Sequence, residues 1–230
     1  LELLRNRLRE VRDLERTLTR LSVGTGNGRD LLNLRFAIEQ FPGLRSLIDE
    51  AHGEAGELEL HDADDVPLLS QLAAQLKELP EVVALIARAI VDEPPLALRE
   101  GGIIREKFSA ELDELRVGAS EGKEWIAQMQ KREIENTGIP SLKVRFNNVF
   151  GYFIEVTKTH LAKVPAHYVR KQTVANAERY ITDELKQMED KVLGAQERSE
   201  KLEYELYLQV REAVLEHLRA IQTAAAALAQ

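Results

Sequence analysis

A mainly α-helical fold, with a helical bundle, a long antiparallel two-helix stalk and a small β-rich tip, is what the sequence predicts. Three observations carry that expectation. Apolar residues recur in steps of three and four over most of the 230 residues. Only residues 141–157 switch to period two. From Thr182 onward the chain has no proline and a single glycine, Gly194.

Leu4, Leu8, Val11, Leu14, Leu18 and Leu21 lie on one helical face, which predicts an amphipathic helix over 1–23. Glycine-rich residues 24–28 end it. Asp30 opens a second helix through Leu31, Leu34, Ile38 and Phe41, broken by Pro42-Gly43. A short helix over 44–50, a polar loop over 52–65 and helices over 66–79 and 81–91 follow, ending before Pro94-Pro95. Phe108, Leu112, Leu115, Ala119, Ile126 and Met129 then take heptad-like steps, apart from a gap at Gly122. That helix stops at Thr137-Gly138-Ile139-Pro140.

Leu142, Val144 and Phe146 alternate with Lys143, Arg145 and Asn147, a strand signature. A turn at Asn148 leads into a second strand over 150–156, so a hairpin is expected. Residues 168–180 read as a third strand or an extended loop. Leu185, Met188, Val192, Ala195, Leu202, Leu206 and Val210 then define a returning helix. Unbroken to the end, it would measure roughly 70 Å at about 1.5 Å per residue. Trp125, one residue before the seam position Ile126, is expected to pack the stalk.

Composition excludes several classes. With no cysteine there is no disulfide, thiolate metal site or cysteine nucleophile, in keeping with a reducing cytoplasm. No apolar run reaches the roughly 18 residues a membrane-spanning helix needs, and no secretory signal pattern opens the chain. The only methionines are Met129 and Met188, so the chain is expected to be an inner piece of something longer.

A net charge of −8 argues against nucleic acid as a partner, but only as an average. Residues 141–180 hold seven basic and two acidic side chains, a local +5, which leaves −13 on the other 190. The same forty residues hold six of the twelve aromatics. A basic tip on an acidic arm suits contact with a phosphate backbone, the acidic remainder confining that contact to the tip. The aromatics there read as a miniature core.

Val91-Asp92-Glu93-Pro94-Pro95, Arg99-Glu100-Gly101-Gly102 and Glu111-Leu112-Asp113-Glu114-Leu115-Arg116 resemble the core (lever) domain of the MutS family of DNA mismatch-recognition proteins. Asp13-Leu14-Glu15-Arg16 and Arg29-Asp30-Leu31 are similar to the same domain. Gly151-Tyr152-Phe153-Ile154-Glu155-Val156, Arg170-Lys171-Gln172-Thr173 and Asn176-Ala177-Glu178-Arg179-Tyr180-Ile181-Thr182 resemble that family's clamp domain. Glu184-Leu185-Lys186 resembles the start of the returning lever helix.

The resemblance implies a first part of the core/lever domain at 1–128, a clamp at 129–184 and the returning lever helix at 185–230. It implies a clamp that grips the backbone of double-stranded DNA without reading sequence. Lys158, His160, Lys163, Arg170, Lys171, Gln172, Thr173, Asn176 and Arg179 are the contact residues by motif position. Further implied partners are a second subunit of the same family, which helps encircle DNA, and other mismatch repair proteins. The setting implied is the bacterial cytoplasm at the nucleoid, with no membrane partner. Two positions depart from the family pattern. Ala175 stands where many relatives carry a basic residue, and Lys107-Phe108 stands where Gly-Tyr is more usual.

The family's ATPase domain carries a P-loop, and no such motif occurs here. The nearest approach, residues 118–124, is one residue short and ends in glutamate. ATP and Mg are therefore expected only in that separate domain, with no cofactor, metal or catalytic residue in this chain. Phe153-Ile154-Glu155 matches the family's mismatch-reading motif only by chance, since that motif belongs to another domain. Residues 24–28 follow a helix rather than a strand, so they read as a turn and not a phosphate cradle.

His52, Glu54, His61, Asp62, Asp64 and Asp65 match no metal-ligand spacing. Glu197 and Glu200 read as stalk surface, and no serine, histidine and aspartate share a nucleophile's context. The leading expectation is a DNA-contacting lever and clamp, not an enzyme. The alternative is a coiled-coil scaffold whose β-rich tip binds a protein, and a hydrolase built on 52–65 ranks last.

Overall fold

The computed structural model describes residues 2–11, 14–55 and 68–229. They form α1 (Glu2–Glu10), α2 (Leu14–Ser22), α3 (Gly28–Glu39), α4 (Phe41–Ala55), α5 (Leu68–Gln75), α6 (Pro80–Ala89), α7 (Ala110–Thr137), α8 (Asp183–Leu215) and α9 (Leu218–Leu228). Four strands, β1 (Lys143–Asn147), β2 (Gly151–Thr157), β3 (Val169–Thr173) and β4 (Ala177–Ile181), and a 3-10 helix (Lys158–Lys163) lie between α7 and α8. The protein is mainly helical, with one small antiparallel sheet. It divides into two compact units, residues 1–108 with 202–230, and residues 109–201.

The first unit buries Leu21, Leu31, Leu34, Ile38, Phe41, Leu44, Ile86 and Tyr207. Asn27 starts α3 with a reciprocal cap: its side chain accepts from the amides of Arg29 and Asp30, and Asp30 Oδ2 accepts from the Asn27 amide at 2.8 Å. The amides of Thr25 and Gly26 both donate to the Arg20 carbonyl. The glycine-rich turn thus spends these amides internally, as expected of an inter-helix turn. Tyr207 lies fully buried and donates its hydroxyl to the Gly26 carbonyl at 2.7 Å. Glu203, also buried, accepts from the amides of Ile103 and Ile104 at 2.5 and 2.7 Å, tying that loop to α8.

Several boundaries differ from expectation for local reasons. The stripe over 1–23 belongs to two helices because its halves pack on different partners, α1 on α4, and α2 on α3 and α9. The break assigned to Pro42-Gly43 falls earlier, at Gln40, since proline is tolerated in the first turn of α4. Residues 52–55 are helical, extending α4 into the expected polar loop, while 56–67 lie outside the described residues. The returning helix ends at Leu215, so α8 spans about 50 Å. A turn at Glu216 and His217 frees α9 to lay its buried Ile221, Ala224, Ala225 and Ala227 against α2 and α5.

In the second unit α7 begins at Ser109, whose side chain accepts from the Leu112 amide, and ends on Gly138 in the left-handed conformation (φ 61°). Gly122 faces Val192, and Arg132 reaches Glu184 at 2.6 Å, so α7 and α8 pair in opposite chain order. The gap in the α7 stripe is a close approach of the two helices: a Cβ on Gly122 would overlap Val192 Cγ2. Above this seam the sheet runs in the order β1-β2-β4-β3, every pair antiparallel. The segment left open over 168–180 is thus two strands. Ile154, Val156, Tyr168 and Tyr180 join Ile126, Met129, Ile139, Leu142, Leu185 and Val192 in one core.

Lys107 is the one non-glycine among the described residues with a positive φ, 67°. The departure from the family's usual glycine falls where a side chain costs most. Lys107→Gly is therefore expected to leave the fold intact and to raise the melting temperature slightly, the strain relieved outweighing the entropy glycine adds. Gly122→Ala should destabilise by about 1–3 kcal/mol by overpacking the seam. Val192→Ala in the same chain should restore much of that loss, as read by thermal melts of the single and double variants.

Candidate nucleic-acid interface

Two buried carboxylates fix the sheet to the helices beneath it. Glu133, on α7, accepts from the Tyr168 hydroxyl at 2.5 Å. Glu189, on α8, accepts from the Tyr152 amide at 2.5 Å and from Lys186 Nζ at 2.7 Å. Gly151 has φ 74°, and a Cβ there would collide with the Glu189 carboxylate, so only glycine lets that acid reach β2. Gln130 Oε1 accepts from the Val144 amide at 2.7 Å, closing part of the β1 edge. These helix residues were missed from sequence. The available signal was Glu133, four residues beyond Met129 on the apolar stripe.

The residues expected to contact DNA fall into two groups. Several are already engaged within the protein. Lys163 Nζ donates to the Gly138 carbonyl at 3.2 Å, capping the end of α7. Arg179 stacks its guanidinium 4.5 Å from the Phe153 ring centroid, donates to Gln172 Oε1 at 2.8 Å and lies 3.3 Å from Glu155. Arg145 reaches the same Glu155 at 3.6 Å from β1. Arg170 sits 3.4 Å from Glu178 yet stays 62% exposed along its side chain, so that pair is weak. His160 is half-buried, its Nδ1 within 3.3 Å of three hydroxyls.

The remainder are open. Lys158, Lys171, Thr173 and Asn176 are exposed, and neither lysine has an acidic partner among the described residues. Chain geometry brings Lys158 to the β3–β4 turn, its amide donating to the Asn176 carbonyl at 3.1 Å. Residues 158–163 form a 3-10 helix that begins at this contact. On β3 the register slips between Arg170 and Gln172, leaving Lys171 as the extra residue of a bulge on an edge strand. Sequence reasoning could not separate these free cations from the engaged ones, because the distinction depends on cross-strand register.

The aromatics divide similarly. Tyr168 and Tyr180 lie in the core, whereas Phe146 and Phe150 are 46% and 48% exposed at the β1–β2 turn, beside Val149 at 80%. Trp125 packs against the core, with the Arg132 guanidinium 5.9 Å from its ring. Among the described residues no group of histidines and carboxylates could hold a metal, and no helix is long and apolar enough to cross a membrane. A groove bordered by Arg9, Arg29, Asp92 and Glu93 in the first unit mixes opposite charges and holds none of the expected contact residues.

A basic four-stranded sheet held on two antiparallel helices defines the class: a helix-mounted β domain with its unpaired cations outward. Residues 107–198 match the family model for MutS family domain IV. The chain is 43% identical over 98% of its length to DNA mismatch repair protein MutS of Acetivibrio thermocellus and 47% identical over 99% to that of Symbiobacterium thermophilum. It is 43% identical over 100% of its length to that of Halothermothrix orenii. Residues 107–198 belong to the MutS family, as its domain IV, and the whole chain aligns with a segment of MutS. It spans 24% of each of these relatives.

Burial, and secondarily the hydrogen bond to Glu178, push the Tyr180 hydroxyl up to about 12. Burial and Glu133 push Tyr168 up as well. A raised folded pKa means that the unfolded chain loses its phenol proton first, at about 10. The stabilisation is thus full below about pH 10 and is lost as pH rises from there toward 12. Urea melts at pH 8 and pH 11 should show this alkaline loss, and Tyr180→Phe should lose less across the same interval than the parent chain.

Proposed function

We propose that this chain is the lever and clamp portion of a MutS-type DNA mismatch repair protein, touching the backbone of double-stranded DNA without reading its sequence. The observation that carries the reading is the set of exposed side chains Lys158, Lys171, Thr173 and Asn176, which have no partner among the described residues, on a sheet whose arginines Arg145, Arg170 and Arg179 each face an acid. Ammonium groups release condensed counterions from phosphate, while hydroxyl and amide groups fix position. Arg170 joins them at small cost, since its bond to Glu178 is exposed. Arg179, Gln172 and Lys163 act by shaping the surface.

In this reading residues 129–184 are the clamp, and 1–128 with 185–230 are the lever. The pairing of α7 with α8 supports a two-helix stalk. Such a stalk would pass small rotations from an ATPase domain elsewhere in the protein to the sheet, while a second subunit closes around the duplex from the other side. This chain would neither bind ATP and Mg nor hydrolyse a nucleotide. A cytoplasmic setting at the nucleoid, and contacts with other repair proteins, belong to the same reading. The exposed Phe146, Val149 and Phe150 favour a second reading, in which the β1–β2 turn docks a protein partner.

Duplex affinity of the 230-residue chain should fall steeply with salt and be indifferent to sequence. Lys158→Ala with Lys171→Ala should weaken binding at every salt concentration. The pair should also flatten the log–log salt slope by about 1.8, at ~0.9 per lost phosphate contact. An unchanged slope would remove these lysines from the interface. Ala175→Lys, restoring the cation common in relatives, should tighten binding and steepen the slope by about 0.9. Phe150→Ser should leave duplex affinity unchanged.

A further inference from the structure

His160 is surrounded on one side only. Its Nδ1 lies 3.3 Å from Ser141 Oγ, 3.2 Å from Thr157 Oγ1 and 3.1 Å from Thr159 Oγ1. Thr157 Oγ1 also lies 3.0 Å from Ser141 Oγ and 3.1 Å from Thr159 Oγ1. Among the described residues Nε2 has no partner, and it is not a buried unpaired atom, so it opens to solvent.

Three hydroxyls carry three protons, and several arrangements use all of them with Nδ1 as an acceptor. In one, Ser141 and Thr159 donate to Thr157, and Thr157 donates to Nδ1. An sp² ring nitrogen is a better acceptor than a hydroxyl oxygen, so with three hydroxyl protons at hand it accepts one. A neutral imidazole that accepts at Nδ1 carries its proton on Nε2. The chain of donors polarises each member in turn and strengthens the last. The cluster therefore exports one oriented N–H from the same 3-10 helix that carries Lys158, whose ammonium has no partner among the described residues.

We propose that Ser141, Thr157 and Thr159 are positioning residues that hold His160 as an Nε2–H donor, and that His160 and Lys158 together form a subsite for one phosphodiester oxygen pair. The inference rests on the proposed contact with the DNA backbone and adds to it a ligand group and its orienting shell. The donor pair is mixed. Lys158 contributes charge, whereas His160 contributes direction without charge. Loss of His160 should therefore lower affinity without altering the salt dependence, because a neutral donor releases no counterion.

The test uses the 230-residue chain at pH 8. Ring-nitrogen NMR should find the His160 proton on Nε2 with Nδ1 as acceptor, and Thr157→Val should convert this to a tautomer mixture. Duplex anisotropy titrations should show Thr157→Val and His160→Ala weaker by about fivefold, the worth of one hydrogen bond, at unchanged salt slope. His160→Gln, whose amide can supply an N–H near the same place, should retain most of the affinity. That pair of His160 variants decides the matter if Thr157→Val fails to fold. A mixed tautomer in the parent chain, affinity indifferent to His160→Ala, or a slope change like that of Lys158→Ala would overturn the subsite. If the parent chain shows no duplex binding at all, the backbone-contact reading fails separately. Inorganic phosphate then judges the subsite: displaced His160 ring signals that Thr157→Val abolishes support it, and unmoved signals refute it.

Discussion

The sheet depends on carboxylates buried beneath it. Glu133 and Glu189 sit on the two long helices and receive their hydrogen bonds from the strands and from the segment leading into β3. A buried carboxylate left without donors costs several kcal/mol, so each acid tolerates little displacement of its partner. Apolar packing alone would permit the sheet to slide over Ile126, Met129 and Leu185. The acids remove that freedom, one through the interior strand β2 and one through Tyr168 just before β3. The same device recurs in the first unit, where Glu203 holds the amides of Ile103 and Ile104.

Once the sheet is fixed, its register sorts the basic residues into two kinds. Cross-strand pairing sets Arg179 against Glu155 and over Phe153, where it acts as part of a small polar face. The bulge in β3 and the 3-10 helix after β2 leave Lys171 and Lys158 outside that network. A charge count of +5 over 141–180 treats these residues alike. The fold distinguishes cations that hold the surface together from cations that remain available to a ligand.

Much of this was legible in the sequence because periodicity reports burial directly. The steps of three and four located α7 and α8, and the alternation after Leu142 located β1. What stayed hidden depended on contacts distant in the chain. Nothing near Val11 announces that α1 and α2 pack on different helices, and nothing near Leu215 announces the turn that seats α9. Gly122 read as an interruption of a stripe, although it is a point where the facing helix leaves no room for a Cβ. Within the candidate site, motif position named residues without distinguishing the side chains left with free valence, which depend on cross-strand register. The hydroxyl cluster at His160 draws on Ser141, which is sixteen residues from Thr157 and on a different segment.

The bulge at Lys171 has a second effect, on the behaviour of the chain in company. An open four-stranded sheet has two flanks, each able to recruit a strand from another molecule. On β1 the Gln130 side chain occupies one backbone donor. On β3 the bulge interrupts the row of amides and carbonyls and sets a lysine in the break. An edge interrupted in this way is a poor template for a strand from another copy of the chain.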